Sequence, residues 1–287
     1  MYYRIAGHII RVNTPDRAKT IEVLPNFEPF RIREESGMSG EVLFEFTGNS
    51  ELRLPEKKAD DGFVWNGIHY EVYKNPDFWT ISMKWDGHTH LLEAASDWKT
   101  IRTDISLTDI SKRMFLNNFL IVSFGMGAAP LHTLKMHASV IEKDGGALLF
   151  LGKSGTGKST HSRLWLEFVD GASLLNDDEP IVRINEEGEV RVYGSPWSGK
   201  TPCYRNAAAC VKGFVHLYQS PENKLSPLSG RDALASLFVS SCMMRTDEDN
   251  KNRVFDTIAD ILQVVPVYRL DCRPDREAVL LTRSLMQ

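Results

Sequence analysis

The chain has 287 residues, of which 42% are hydrophobic and 25% charged, close to the average for folded soluble proteins. This composition excludes a disordered tail, a collagen-like rod and a simple coiled coil. The formal net charge of -4 gives no support to nucleic-acid binding, which normally needs a basic excess.

The first part of the chain is predicted to be rich in β-strands. Runs of strand-favouring side chains, such as residues 41–46 and 68–73, are separated by turn signals. Asn66-Gly67 between two such runs predicts a two-residue hairpin turn. We therefore expect residues 1–107 to form a β-rich N-terminal domain, to which the sequence assigns no role.

A helix is predicted next, and it would open a second domain over residues 108–287. Thr108 or Asp109 can cap it, and Gly125, Gly127 and Pro130 are expected to end it near Phe124. The most apolar stretch, 119–131, is shorter than the ~20 residues that a membrane-spanning helix needs. The N-terminus lacks the apolar core of a signal peptide, and the four cysteines form no CxxC pair. These features predict a cytoplasmic protein with no membrane partner.

The second domain mixes strands and helices. Several of its strands are joined by tight turns rather than by helices, which predicts an α/β fold with a mixed sheet. The predicted strands cover residues 136–142, 147–151, 172–175, 181–184, 190–193, 213–218 and 267–270. The predicted helices cover residues 157–168, 230–243 and 251–264, and a last one begins near residue 275.

One glycine-rich segment matches a phosphate-binding pattern. Residues 152–159 read GKSGTGKS and fit GxxxxGK[ST] at each fixed position, between an apolar strand and an amphipathic helix. Glycines let successive backbone N–H groups face one anion, and the helix start adds partial positive charge beneath the phosphates. The sequence therefore predicts a P-loop, the loop that binds the phosphates of a nucleotide.

ATP is the expected nucleotide, with Mg²⁺ as its metal and Mn²⁺ as an alternative. Lys158 would contact the β- and γ-phosphates, and the Ser159 hydroxyl would ligate the metal. The residues predicted to bind the nucleotide are Gly152, Lys153, Ser154, Gly155, Thr156, Gly157, Lys158, Ser159 and Thr160.

An acidic run follows the next apolar strand. Carboxylates at the carboxyl end of a strand face the same crevice as the P-loop of an α/β sheet. One of Asp177 and Asp178 could hold Mg²⁺ while the other accepts a proton from an attacking hydroxyl. The alternative is an ordinary acidic turn before Pro180.

His137, at the start of the strand that precedes the P-loop strand, completes a pattern of three elements. The segment 137–139, the segment 146–160 and the segment 176–179 resemble one superfamily. It comprises the catalytic domain of HPr kinase/phosphorylase and the nucleotide-binding part of ATP-dependent phosphoenolpyruvate carboxykinase. Both families place a His ahead of a GxSGxGK[ST] loop and an Asp-Asp pair after it.

The HPr kinase-like branch fits this chain better, because a carboxykinase has a longer chain with its own substrate domain. The resemblance covers residues 132–185 and extends toward the C-terminus through the segment 265–270, but it does not cover residues 1–107. It implies a P-loop kinase domain of the HPr kinase/carboxykinase type. HPr kinases assemble into rings of subunits, which brings a homo-oligomer into consideration.

The resemblance also implies residue roles. Ser159 with Asp177 would hold the metal, and Lys158 would contact the phosphates. Asp178 would lie nearest the transferred phosphoryl group and act as the base, although the two aspartates could exchange roles. His137 would lie beside the metal and the transferred group.

One segment departs from the family pattern. HPr kinases carry a Glu-bearing segment of the form ELRGLG, whereas residues 192–202 of this chain read VYGSPWSGKTP. This departure puts HPr as the substrate, and the reverse phosphorolysis, in doubt. Lys200 and Arg205 could instead neutralise transition-state charge or hold the acceptor, or they are ordinary exposed basic residues.

Together these features predict a Mg²⁺-dependent kinase that transfers the γ-phosphoryl group of ATP to a hydroxyl, that of a serine in an unidentified protein or peptide. One alternative is a nucleotide-binding regulatory protein with little transfer activity. The other is small-molecule phosphotransfer of the carboxykinase kind. The sequence does not select the acceptor.

Overall fold

The two halves of the chain each build a nine-stranded sheet in the computed structural model, which describes residues 1–33, 40–65 and 67–286. The first unit consists of Met1–Ala128 with Met244–Asn250, and the second of Ala129–Met243 with the C-terminal residues from Lys251. Both sheets contain parallel and antiparallel pairs, so the predicted general α/β class is confirmed.

The first unit is dominated by its sheet, in the order β3-β1-β2-β4-β9-β8-β7-β6-β5 among the described residues. Its strands are β1 (Tyr2–Ile5), β2 (His8–Asn13), β3 (Arg31–Ile32), β4 (Val42–Thr47), β5 (Asp61–Trp65), β6 (Ile68–Lys74), β7 (Phe78–Trp85), β8 (His88–Ala95) and β9 (Thr100–Thr103). Its helices are α1 (Arg17–Val23) and α2 (Arg113–Ala128), and a 3-10 turn covers Pro25–Phe30.

Strands β5 and β6 form the hairpin that the sequence predicts at Asn66-Gly67. Asn66 itself lies outside the described residues, but the strands on either side pair antiparallel, with Trp65 opposite Ile68. Along β6 the side chains of Ile68, Tyr70 and Val72 are buried, while His69 and Glu71 between them are exposed. This alternation is the period-two pattern of a strand with one face on a core.

Helix α2 is longer than the sequence predicts. Asp109 caps a short 3-10 turn, as expected for one of the two candidate caps, and the α-helix then continues to Ala128. The expectation that Gly125 and Gly127 end the helix was wrong, because both are buried inside it. A Cβ at Gly127 would lie 3.6 Å from Cδ1 of Phe44, an ordinary contact distance, so α2 packs directly on β4 at this position.

The division between the units falls after Ala128 rather than at the predicted 107/108, because α2 is bound to the first unit. Tyr70 donates a hydrogen bond to Asn118 of the helix at 2.9 Å. At the start of the helix, Arg113 donates to the Val23 carbonyl at 2.9 Å. These bonds join α2 to elements far away in the sequence, which local patterns do not reveal.

The apolar segment is also longer than the predicted 119–131. The helical run Ile110–Leu131 has 22 residues, and an 18-residue window within it has a mean hydropathy of 1.4, enough by length and composition to cross a membrane. However, 56% of that window is buried inside the protein. One such helix is weak evidence for a span, since the core helix of a soluble protein has the same properties.

The second unit contains residues 152–159, here named the P-loop for their sequence pattern. Its strands are β10 (Thr133–Lys135), β11 (Ala138–Lys143), β12 (Gly146–Leu151), β13 (Ser173–Asp178), β14 (Ile181–Ile184), β15 (Val190–Tyr193), β16 (Ala208–Gln219), β17 (Lys224–Leu228) and β18 (Val267–Cys272). Its helices are α3 (Lys158–Phe168), α4 (Gly230–Phe238), α5 (Glu248–Val264) and α6 (Arg276–Arg283).

The sheet of the second unit runs β10-β14-β15-β16-β12-β11-β13, with β18 beside β16 and β17 beside β18. Only the β12–β16 and β16–β18 pairs are parallel among its described strands. The predicted tight turn between β11 and β12 is present, with Asp144 and Gly145 at φ 50° and 79°. This is the mixed sheet that the short connections predict.

Several elements of this unit differ from the sequence prediction: β10 and β17 were not predicted, and β16 begins at Ala208 rather than at residue 213. Strand β13 extends to Asp178 instead of ending at residue 175, because Asn176 and Asp177 pair with β11. Helix α4 ends at Phe238 rather than at residue 243. The chain beyond it pairs with the segment before β11 instead, where the N–H of His137 donates to the Ser240 carbonyl at 2.7 Å.

Helix α3, which follows the P-loop, is fixed to the rest of the unit through buried polar contacts. Trp165 donates to the Thr282 hydroxyl at 2.9 Å, and a ring nitrogen of His161 lies 3.2 Å from the same oxygen. The imidazole also meets the Phe150 ring of β12 edge to face, with the ring centroids 4.6 Å apart. These contacts hold the helix against α6 and the sheet.

His161 generates a pH-dependent stability. Burial lowers the pKa of His161 to about 4, whereas an unfolded histidine titrates near 6.5. Below pH 6.5 the unfolded chain therefore takes up a proton that the folded chain refuses, and stability falls as the pH falls toward 4. We predict that the wild type loses about 3 kcal/mol more than His161→Gln between pH 7 and pH 4, measured by urea denaturation. Parallel pH profiles for the two proteins would contradict this.

Candidate functional site

The P-loop leaves the end of β12 and turns directly into α3. Gly152, Gly155 and Gly157 have φ values of 140°, 84° and 105°, a region that side chains other than glycine rarely adopt. A Cβ at Gly152 would lie 2.6 Å from the Thr156 hydroxyl, so a side chain there would collide with the loop. The Thr156 hydroxyl in turn donates to the Lys153 carbonyl at 2.8 Å, which closes the turn.

The first turn of α3 has backbone N–H groups that no side chain of its N-cap residue binds. Gly157 is its N-cap and, having no side chain, does not cap the first N–H groups of the helix. Uncapped N–H groups at a helix start, with the helix dipole behind them, form a ready anion-binding site. The local structure is thus the one that the sequence pattern predicts.

Lys158 is folded back over the loop. Its side chain is buried, and its Nζ donates to the Gly152 carbonyl at 2.9 Å and lies 2.7 Å from Nε2 of His137. Burial lowers the pKa of Lys158, and the nearby carboxylates of Asp178 and Asp177 act in the opposite direction. The ammonium is therefore held inside the curve of the P-loop, beside the predicted phosphate site.

Ser159 joins the helix start to the end of β13. Its hydroxyl donates to Oδ1 of Asp177 at 3.0 Å. Asp177 is buried, whereas Ser159 is exposed to solvent. The two residues predicted to share a metal thus lie in direct contact.

Asp178 lies on the other side of His137 from Lys158. Its Oδ1 is 3.3 Å from Nδ1 of His137, and its backbone is strained, with φ at 95°. Burial lowers the pKa of His137 to about 4, so the ring is neutral at pH 7. A neutral imidazole that accepts from Lys158 at Nε2 carries its proton on Nδ1, toward Asp178. The three side chains form a continuous polar row.

A buried ion pair lies beside this row. Lys135 forms an ion pair with Glu179, and both side chains are nearly inaccessible. Burial by itself lowers the pKa of Lys135, but the charge and hydrogen bond of Glu179, together with the charges of Cys242 and Asp178, raise the pKa above its ordinary value. The ligand atoms of His137, Asp178 and Glu179 lie within 4.8 Å of one another, close enough to share a cation. The pairing with Lys135 already occupies Glu179.

The segment 194–203 crosses over the end of β13 and is held by buried hydrogen bonds. The Asn176 amide donates to the Trp197 carbonyl at 2.9 Å, and its oxygen accepts from the N–H of Glu179 at 2.9 Å. The Ser195 hydroxyl donates to the Glu179 carbonyl at 2.6 Å. Asn176 and Ser195 are both fully buried. This network fixes the backbone on either side of the two aspartates.

Gly199 brings this segment against the aspartates. Its N–H donates to the Asp177 carbonyl at 2.7 Å, and the Ser198 hydroxyl donates to the same oxygen at 3.0 Å. A Cβ at Gly199 would lie 2.9 Å from Cβ of Asp178, so only glycine fits without displacing that side chain. Lys200, the next residue, is exposed.

Arg205 is placed elsewhere. Its guanidinium forms an ion pair with Glu142 at 3.1 Å and donates to the Leu174 carbonyl at 2.8 Å. Glu142 lies near the end of β11, and Leu174 lies near the start of β13, roughly 13 Å along the strand from Asp178 at the usual rise per residue. The structure therefore does not bring Arg205 to the P-loop, contrary to the alternative in which it neutralises transition-state charge.

Some residues of the site carried no distinct sequence signal. Lys135 lies in a short strand before the recognised pattern, and Ser195 lies in the segment that departs from it. Asn176 stands inside the acidic run, but its role depends on a partner 21 positions away, at Trp197. The one clue in the sequence was an amide residue, Asn176, directly before two aspartates.

Comparison with known proteins adds no relative: no protein-family model matches the chain, and no curated protein matches it in sequence. The chemistry of the site is therefore argued from its own residues. The oxygens of Ser159 and Asp177 are hard donors of the kind that Mg²⁺ prefers, and they lie close enough to serve one ion. The residues present fit the expected metal.

The buried network around Asn176 generates a stability prediction. Asn176→Ala leaves the Trp197 carbonyl and the Glu179 N–H buried without these partners, and each such group costs about 1–3 kcal/mol. We predict that the free energy of unfolding falls by about 3 kcal/mol, measured by urea denaturation. The matched control is Asn252→Ala on the exposed face of α5, which should change stability by less than about 0.5 kcal/mol. An equal effect of the two variants would contradict the network's role.

Proposed function

We propose that this chain is an ATP- and Mg²⁺-dependent phosphotransferase of the HPr kinase-like type, with a P-loop kinase fold in its second unit. It would transfer the γ-phosphoryl group to a hydroxyl, that of a serine in a protein or small peptide. The resemblance of three sequence segments supports this family. The clustering of those same segments at one edge of the sheet supports it independently.

The observation that carries the proposal is the contact between Ser159 and Asp177. The Ser159 hydroxyl, directly after Lys158, lies 3.0 Å from the Asp177 carboxylate near the end of β13. In P-loop enzymes the metal of a nucleotide is held by such a hydroxyl and such a carboxylate. Aspartates in an ordinary acidic turn lie in solvent, whereas Asp177 is buried beside the first turn of α3.

The chain's own residues divide the work. The backbone N–H groups from Gly155 to Ser159 would bind the phosphate oxygens, and Lys158 would leave the Gly152 carbonyl to contact the β- and γ-phosphates. Ser159 and Asp177 would hold Mg²⁺, which supplies positive charge against the phosphate oxygens when bound. Positioning and electrostatic stabilisation of this kind provide most of the catalysis in phosphoryl transfer.

Asp178 is suited to accept the proton of the acceptor. In the step, the acceptor oxygen forms a bond to the γ-phosphorus while the bond to the β,γ-bridging oxygen breaks, releasing ADP. The hydroxyl proton passes to the Asp178 carboxylate. His137, neutral and with Nδ1 facing Asp178, keeps that carboxylate oriented. Since Asp177 is engaged by Ser159, this arrangement favours Asp177 for the metal and Asp178 for the proton.

Lys158 supplies the first functional prediction. Lys158→Ala removes the side-chain cation predicted to contact the β- and γ-phosphates, so the transfer rate should fall at least about 100-fold. The measurement is the release of labelled γ-phosphoryl from ATP with Mg²⁺ and serine-containing peptides, with circular dichroism to show that the fold is intact. Lys212→Ala, an exposed lysine in the middle of β16, is the matched control and should retain the wild-type rate. Normal turnover of Lys158→Ala would refute the assignment.

The two aspartates should fail differently. Asp178→Asn removes the proton acceptor, so kcat should fall about 100-fold or more while ATP affinity stays within about twofold. Asp177→Asn removes a metal ligand, so the Mg²⁺ concentration needed for half-maximal activity should rise. Identical effects of both variants on kcat and on Mg²⁺ dependence would contradict the division of roles. Tight ATP binding by the wild type without any transfer would favour the regulatory alternative.

A further inference from the structure

The carboxyl end of β16 reaches the rim of the P-loop. Strand β16 runs parallel to β12, with His216 opposite Leu151, the last residue before the loop. Beyond it, the Gln219 amide donates to the Gly155 carbonyl at 3.2 Å. The side chains at this end of β16 are therefore neighbours of the site, yet the proposed transfer chemistry uses none of them.

Three flat groups are stacked there. The rings of His216 and Tyr218 are nearly parallel, with centroids 5.0 Å apart and an interplanar angle of 21°. The guanidinium of Arg269, on the adjacent strand β18, lies over the Tyr218 ring at 4.1 Å from its centroid. We refer to His216, Tyr218 and Arg269 as the aromatic layer. Tyr218 is 39% exposed, so a planar ligand can reach the layer from solvent.

The aromatic layer carries little net charge. Arg269 is bound by Asp271 through three hydrogen bonds of 2.7, 2.9 and 3.1 Å, so the pair carries no net charge. Burial lowers the pKa of His216, and the charges of Lys158 and Arg269 lower it further, so this ring is neutral at pH 7. A flat, neutralised surface is a weak ligand for phosphate but a good one for a planar heterocycle.

We infer that the aromatic layer of His216, Tyr218 and Arg269 binds the nucleobase of the nucleotide whose phosphates occupy the P-loop. This inference rests on the proposed function. Bases stack on aromatic and guanidinium planes regardless of their hydrogen-bonding edges, so the layer adds affinity for nucleoside triphosphates without strong selection of one base.

The test compares two ligands that share a triphosphate. Calorimetric titration with Mg²⁺ gives the affinity of the full chain for ATP and for inorganic tripolyphosphate, which has no base. We expect Tyr218→Ala and Arg269→Ala to weaken the affinity for ATP about tenfold or more. The affinity for tripolyphosphate should stay within about twofold of the wild-type value. Tyr218→Phe keeps the ring and should retain ATP affinity. Arg273→Ala, an arginine of similar exposure paired with Asp275, is the matched control.

The outcomes separate the two proposals. If Tyr218→Ala and Arg269→Ala lose the same affinity for both ligands, or lose no affinity for ATP, the base site is overturned and the P-loop assignment stays intact. Wild-type protein that binds neither ATP nor tripolyphosphate would overturn the nucleotide site itself. Weaker affinity for ATP alone in the two alanine variants, with wild-type affinity in Tyr218→Phe, supports the inference.

Discussion

The contact between the Ser159 hydroxyl and the Asp177 carboxylate is the constraint on which the site depends. It can form only if the first turn of α3 and the last residues of β13 meet at the same edge of the sheet. Strand β11 makes this possible by running antiparallel between β12 and β13, with Ala138 opposite Asp178. The amino end of β11, at His137, therefore lies beside the carboxyl ends of both neighbours. One arrangement of strands gathers the loop, the histidine and the aspartates.

The electrostatics of this edge follow from that gathering. Lys135 is balanced by Glu179, whereas Lys158 faces both Asp177 and Asp178. Placing several ionisable groups in a partly buried position is unfavourable unless each has a partner, so such clusters mark functional sites more often than stable cores. A divalent cation beside Asp177 would offset the excess of negative charge, which is why the cluster suits metal-dependent phosphate chemistry.

The sequence predicts the local parts of this site well. The spacing of residues 152–159 is enough to predict the turn and the helix start, because both follow from backbone conformations within eight residues. The pairing of Ser159 with Asp177 was also expected, through the resemblance rather than through local rules. What the sequence could not predict depends on distant partners. Arg205 is bound by Glu142, 63 positions away, and helix α2 belongs to the first unit through bonds to Tyr70 and Val23.

A crystal structure with Mn²⁺ and a non-hydrolysable ATP analogue tests the central claim most directly, because manganese is visible by its anomalous scattering. The account predicts an anomalous peak within bonding distance of Ser159 Oγ and Asp177 Oδ1, with the β-phosphate accepting hydrogen bonds from the N–H groups at the start of α3. A nucleotide bound elsewhere, or a metal that touches neither side chain, would contradict it.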